Sequence, residues 1–345
     1  MATEEDYDYA YSNATYNEDN YRYMKFLEFM GTFLTCMYST ACIFGVLGNA
    51  LVLIILIFYE KMKALSDVFL VSLAVADFCF LCTLPFWAYS AAKEWIFHTL
   101  PCKIIRGLYT LNLYGSMLTL TCITIDRYFA IVLATKAYIS QAKRKVWGVA
   151  ACILVWVISL GFALPQFIFS KEIQNDKKVC SVNYPSYHME VFTEVTQMVL
   201  GFFCPMFIML IFYSIIVNTL FRARGFHKHK SLRIILAIVV TFIITQSPYN
   251  LLKLSRAIDK NVILDHAFEY ALIVTEAIAY FHSCLNPVLY FFIGVKFRKH
   301  LMKILKNTRH AKHKLFAKQW QTTEDDSSKT CTDTHHVEET SMDPL

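Results

Sequence analysis

The chain has 345 residues, 56% of them hydrophobic and 17% charged, with a formal net charge of +6. A soluble domain carries about 25% charged residues, and here the apolar excess gathers into stretches that reach the roughly 20 residues a helix needs to cross a bilayer, which excludes a large soluble helical protein. Only Asp77 and Glu276 are deep acids and no Lys or Arg chain links them, so a charged path across the membrane, as a transporter or pump needs, is excluded too.

In chain order, residues 1–31 come first. Glu4, Glu5, Asp6, Asp8, Glu18, Asp19 and Glu28 face only Arg22 and Lys25, so this acidic segment is expected to be disordered when free and extracellular. It could be a merely solvating tail. Tyr7, Tyr9 and Tyr11 follow and interleave the acids of Glu4-Glu5-Asp6-Tyr7-Asp8-Tyr9-Ala10-Tyr11 and favour an anionic, aromatic hook for a basic protein, because rings add contact area and acids speed the approach of cations. Tyrosines flanked by acids also suit sulfation, and Asn13-Ala14-Thr15 is a glycosylation sequon. No basic stretch precedes an apolar one, so no cleavable signal peptide is expected.

Seven spans are predicted, at 32–58, 67–92, 100–132, 146–168, 191–221, 231–257 and 266–292. Backbone groups in lipid must bond internally, so the spans are helices. Basic residues crowd alternate loops: Lys61 and Lys63; Lys136, Lys143, Arg144 and Lys145; Arg222, Arg224, Lys228, Lys230 and Arg233. The positive-inside rule places those loops and the C-terminus in the cytoplasm and the N-terminus outside, as for a multi-pass plasma-membrane protein. The expected fold class is an all-α membrane protein, a seven-transmembrane-helix bundle over 32–306. Within it, residues 294–306 alternate Phe297, Leu301, Ile304 and Leu305 with Lys and Arg, a short amphipathic helix on the membrane lipid of the inner leaflet. Residues 307–345 are polar and rich in Ser and Thr, read as a disordered cytoplasmic tail suited to phosphorylation.

Of eleven cysteines, Cys42, Cys79, Cys82, Cys122, Cys152, Cys204 and Cys284 lie inside spans and read as small hydrophobes. Cys102 and Cys180 fall on the outer side away from a span interior. A disulfide between them would pin the loop over the bundle; two unpaired thiols are the alternative.

Asp77 is deep in the second span and needs a partner, a cation or a proton. Asn49, Asn112, Ser116, His282, Ser283 and Asn286 fall at comparable depth. A neutral Asp in a hydrogen-bonded core and a charged Asp with a cation both remain open. Pro205, Pro248 and Pro287 interrupt spans five, six and seven and supply bending points; a hinge at Pro248 would let the inner half of span six swing outward. No Ser-His-Asp set, His-Glu-x-x-His or glycine-rich phosphate loop occurs, and His282 has no second metal ligand at helical spacing, so an enzyme is not expected. No nucleic-acid partner is expected either.

Asp126-Arg127-Tyr128 at the end of the third span and Asn286-Pro287-Val288-Leu289-Tyr290 in the seventh resemble the rhodopsin-like G-protein-coupled receptors, from Phe33 to Lys306. The resemblance implies that Arg127 pairs with Asp126 at rest and meets a heterotrimeric Gi protein on activation, with Tyr213 and Tyr290 reorganising beside it. It also implies a structural sodium ion on Asp77, Asn112, Ser116 and Asn286, with no other cofactor, and regulation of the tail by receptor kinases and arrestin. Thr83-Leu84-Pro85-Phe86-Trp87, the continuation Phe129-Ala130-Ile131-Val132 and Glu276 are similar to the chemokine receptors. That implies a pocket of Trp87, Tyr109 and Glu276, with an aromatic floor and one negative charge, for the basic N-terminus of a chemokine. Tyr7, Tyr9 and Tyr11 would hold its folded body, each site strengthening the other through effective concentration.

Two departures stand out. Residues 257–268 hold no Cys, so a second outer disulfide is not expected. Gln246, before Pro248, replaces the Trp usually called the activation toggle. Both look like features of the CXC branch, which implies a CXC chemokine as ligand. A scavenger that binds without coupling is the competing reading; the intact Asp126-Arg127-Tyr128 and the basic third inner loop argue against it.

Overall fold

The computed structural model describes the backbone at residues 4–62, 64–133, 141–174, 177–222, 230–258, 266–293, 297–304 and 306. Side chains are described from Tyr21 onward within those ranges, except at 22–23, 141–145, 230–232, 234, 257, 266 and 293. The chain divides into two compact units, Met1–Gly294 and Val295–Leu345. In the second, residues 297–304 are helical, within the stretch expected as the amphipathic helix. The Ser/Thr-rich tail lies outside the described residues.

The first unit is built of helices α1 (Glu4–Ile54), α2 (Leu65–Leu81), α3 (Leu84–Ala92), α4 (Thr99–Ile131), α5 (Gln141–Phe169), α6 (Tyr187–Met198), α7 (Cys204–Arg222), α8 (Lys230–Ile258) and α9 (His266–Ile293). They supply seven helices long and apolar enough to cross a membrane: Met24–Tyr59, Leu65–Ala92, Thr99–Ile131, Val146–Phe169, Tyr187–Arg222, Ile235–Arg256 and Ala267–Phe292. All seven expected spans are present. The first starts eight residues earlier than expected and the fifth four, because both helices continue past the purely hydrophobic run.

Where a disordered tail was expected, the backbone of α1 is helical back to Glu4. At 51 residues and about 1.5 Å per residue, α1 is far longer than a bilayer's hydrocarbon core of about 30 Å, so the segment before Met24 projects past the span.

Two spans are interrupted where a proline demands it. Pro85 has no N–H, so span two breaks between α2 and α3. At the break Thr83 donates both its backbone N–H and its hydroxyl to the Phe80 carbonyl, at 2.8 and 2.7 Å. Before Pro205, span five widens into a single turn of π-helix over Val199–Phe203, closed by Cys204 N–H bonding the Val199 carbonyl; such bulges absorb a missing donor. Span one ends in a similar turn at Ile55–Tyr59. Pro165, Pro248 and Pro287 sit inside α5, α8 and α9.

The long α4 is the axis of the bundle and packs against α2, α5 and α7, while α1 lies against α3, α9 and α2. Close approach rests on glycine: a Cβ at Gly201 would overlap the Tyr114 ring, and one at Gly107 the Phe167 ring. Between α5 and α6 the chain forms an antiparallel hairpin, β1 (Ser170–Gln174) with β2 (Lys178–Val182), in a register that sets Glu172 opposite Cys180. This hairpin was not foreseen.

Candidate functional site

The hairpin closes one end of the bundle. Cys102 and Cys180 are disulfide-bonded, with Cα atoms 5.6 Å apart. They are buried in a small core with Trp95 and Ile105. Trp95 has no exposed surface. Its backbone N–H bonds the Lys178 carbonyl at 2.8 Å and its indole donates to the His98 carbonyl at 2.9 Å. Trp95 therefore ties the loop before α4 to the hairpin. No motif marked it, since one Trp in a polar loop carries no periodic signal. Nearby, burial, aided by the Glu194 carboxylate, pushes the Tyr184 phenol up to about 12, so Tyr184 stays a neutral hydroxyl and accepts from the Gln166 amide at 3.3 Å.

Beneath the hairpin an open cleft is lined by Trp87, Arg106, Tyr109, Tyr249, Lys253 and Glu276 among others. Trp87, Tyr109 and Glu276, inferred as pocket residues from the resemblance, are brought together here. Glu276 Oε1 accepts hydroxyl hydrogen bonds from Tyr249 and Tyr280, both at 3.1 Å. The floor is aromatic: Tyr109 and Tyr280 have ring centres 4.5 Å apart, with Phe80 and Trp87 against Tyr280 at 5.4 and 6.2 Å. Glu276 is the one carboxylate among the lining residues. Arg106 and Lys253 also line the cleft, because Arg106 stands one turn before Tyr109 on the same face of α4. The side chains of Tyr7, Tyr9, Tyr11 and Asn13 lie outside the described residues.

Midway along the bundle, Asp77 is fully buried. Asn112 donates its amide to Asp77 Oδ1 at 2.9 Å and Asn286 to Oδ2 at 2.6 Å. Ser283 donates to Asn112 Oδ1 at 3.5 Å, and Asn49 to the Ser283 carbonyl at 3.1 Å. The four residues inferred for a sodium site thus divide. Two bond Asp77 directly, while the buried Ser116 hydroxyl has no hydrogen-bond partner among the described residues. Hard cations take oxygen ligands. One carboxylate and a free hydroxyl oxygen suit such an ion, with the asparagine amides holding the carboxylate in place.

One turn nearer the cleft, Gln246 is fully buried on α8. Its amide donates to the Ala279 carbonyl on α9 at 2.9 Å and lies 3.0 Å from His282 Nδ1. Across Pro248, the Asn250 side chain donates to the Gln246 carbonyl at 2.9 Å, supporting the backbone at the kink. At the far end, Arg127 lies 3.5 Å from the Asp126 carboxylate. Tyr128 packs edge-on against Phe212, ring centres 4.8 Å apart. Tyr213 and Tyr290 are both buried; the Tyr213 hydroxyl and Arg127 Nε have no hydrogen-bond partner among the described residues.

The arrangement offers a ligand cleft at one end, a polar core in the middle and a charged pair at the other. The family described as 7 transmembrane receptor (rhodopsin family) matches residues 48–290. The chain is 37% identical over 290 residues to C-C chemokine receptor type 9 of Homo sapiens, covering 81% of this chain and 79% of that protein. It is 39% identical over 313 residues to C-C chemokine receptor type 7 of Mus musculus, covering 87% and 83%.

Proposed function

The chain belongs to the chemokine receptors of the rhodopsin family, multi-pass membrane proteins that are receptors rather than enzymes, and from that premise we propose that it binds a CXC chemokine and activates Gi-type G proteins. The relatives named above are C-C receptors, so the choice of branch rests on particular segments. Gln246 before Pro248, Ala134-Thr135-Lys136-Ala137-Tyr138 and Val337-Glu338 ahead of Thr340-Ser341-Met342 look like CXC chemokine receptor type 6, and so does the lack of Cys in 257–268. The ligand of this reading is the membrane-tethered CXC chemokine 16, and the response is calcium signalling with leukocyte chemotaxis or adhesion. Tyr128 stands where type 6 receptors can carry Phe.

The observation that carries the proposal is the cleft itself. An aromatic floor and a carboxylate held by two tyrosine hydroxyls make a seat for a cationic chain end. In this reading the cleft and tail face outward and the Arg127 end faces the cytoplasm. There Asp126, Arg127, Tyr128, Tyr213 and Tyr290 meet the G protein, and the C-terminal tail serves receptor kinases and arrestin. A sodium ion on Asp77 and Ser116, steadied by Asn112 and Asn286, would supply fixed positive charge that favours the resting arrangement. The test is inhibition of cAMP formation in cells expressing the chain, with soluble CXC chemokine 16 and with or without pertussis toxin. A toxin-sensitive fall is expected. Uptake without any cAMP response would replace this reading with the scavenger one.

A further inference from the structure

Arg106 lines the cleft with a charge that the chemokine reading leaves unused. Its guanidinium sits 5.8 Å from the Trp87 ring and donates through Nη1 to the Cys180 carbonyl at 3.1 Å. That contact neutralises nothing, and among the described residues no carboxylate lies within 4.0 Å of Arg106. Lys253, the other cation lining the cleft, lies 3.9 Å from Glu194. Three polar atoms clustered around Arg106 are buried without a hydrogen-bond partner among the described residues: Arg106 Nε, Trp87 Nε1 and the Tyr109 hydroxyl. The first two can only donate, and the third can. Buried donors left unmade cost more than made ones return, so the set is complementary to an acceptor, above all to an anion.

We propose that Arg106, Trp87 and Tyr109 form an anion subsite that takes a carboxylate side chain from the segment of ligand entering the cleft. Glu276 takes the ligand's cationic end, and the cleft reads a pair of opposite charges. A planar guanidinium suits a carboxylate because it can donate two parallel hydrogen bonds. The Trp87 face stacks behind the guanidinium and keeps it aimed into the cleft. The proposal rests on the chemokine-receptor reading of the same site and adds to it a rule for which ligand segments fit.

The test uses soluble CXC chemokine 16 whose first five residues are replaced by Gly and Ser, with a single Glu or a single Gln placed at each position in turn. Receptors are the unmutated chain, Arg106→Gln, which keeps a donor for the Cys180 carbonyl, and Arg106→Lys, which keeps the charge. On the unmutated receptor, Glu is expected to outperform Gln about tenfold in EC50 at one position or more. The advantage should vanish with Arg106→Gln and largely survive with Arg106→Lys, at equal surface expression. An equal Glu advantage on Arg106→Gln, or none at any position, overturns the subsite while leaving the receptor reading in place. Silence of the unmutated receptor to every variant overturns the ligand reading, and the subsite with it.

Discussion

Asn286 donates its amide to Asp77 across 2.6 Å, so the seventh span is bonded directly to the second at mid-depth. Asn112 holds the other carboxylate oxygen from α4, and a single carboxylate joins three spans. Asp77→Asn keeps the shape but leaves one acceptor oxygen where two donors converge. A loss of about 1–3 kcal/mol in stability is expected, the cost of a buried unmade bond. Chemokine binding should differ between sodium and choline chloride for the unmutated chain and coincide for Asp77→Asn. A sodium effect surviving the substitution would remove the ion from Asp77.

Arg127→Ala breaks the 3.5 Å pair with Asp126. Loss of G-protein activation with chemokine binding retained is the expected outcome, read as nucleotide exchange in membranes beside saturation binding. Equal loss of both would make Arg127 structural.

Glu276→Gln removes the charge and keeps the size. Hydrogen bonds to charged groups contribute about 1.5–3 kcal/mol, so chemokine potency should fall about 10- to 100-fold while the amount bound changes far less. Dose–response curves for cAMP alongside tracer binding separate the two, and an unchanged potency would take Glu276 out of the ligand seat.

Gln246→Ala deletes the bond from α8 to the Ala279 carbonyl. A loss of about 1–3 kcal/mol is expected, seen as a fall of a few degrees in Tm of the detergent-purified receptor. Basal nucleotide exchange should rise together with that fall. A lower Tm with flat basal exchange would confine Gln246 to packing.

Trp95→Ala empties a fully buried indole site and should cost about 3–5 kcal/mol. Because Trp95 bonds Lys178 and packs against the cleft residue Trp87, ring centres 6.3 Å apart, the effect on chemokine comes through the hairpin and that wall of the cleft. Binding should weaken even at 4 °C, where the receptor remains folded by ligand-independent thermal-shift measurement.

The spans were legible because a bilayer imposes a length and a composition that few other environments demand. Cys102 and Cys180 were legible because topology left them on one side. Asp77, Asn112 and Asn286 were readable as a set, since polar groups at matching depth in lipid must find one another. Ser283 and Asn49 were named at the same depth, but which groups they bond, the Asn112 side chain and the Ser283 carbonyl, depth alone does not assign. The β-hairpin was missed because strands of five residues each hold too little alternation to stand out. Arg106 was passed over because a basic residue near a span end reads as a group reaching for the surface; only the fold shows that it turns into the cleft.

At Gln246 the seam between α8 and α9 is fastened by directional bonds, beside the Phe242 ring packed edge-on against His282 with centres 5.1 Å apart. A ring leaves such a seam only by sweeping past its neighbours, a barrier of volume. An amide is released when a solvent molecule takes over its partner, and one bound water replaces a lost hydrogen bond at nearly equal enthalpy. An outward swing of α8 about Pro248 would break the Gln246 bond to the Ala279 carbonyl, and a water reaching that carbonyl would lower the cost of that step.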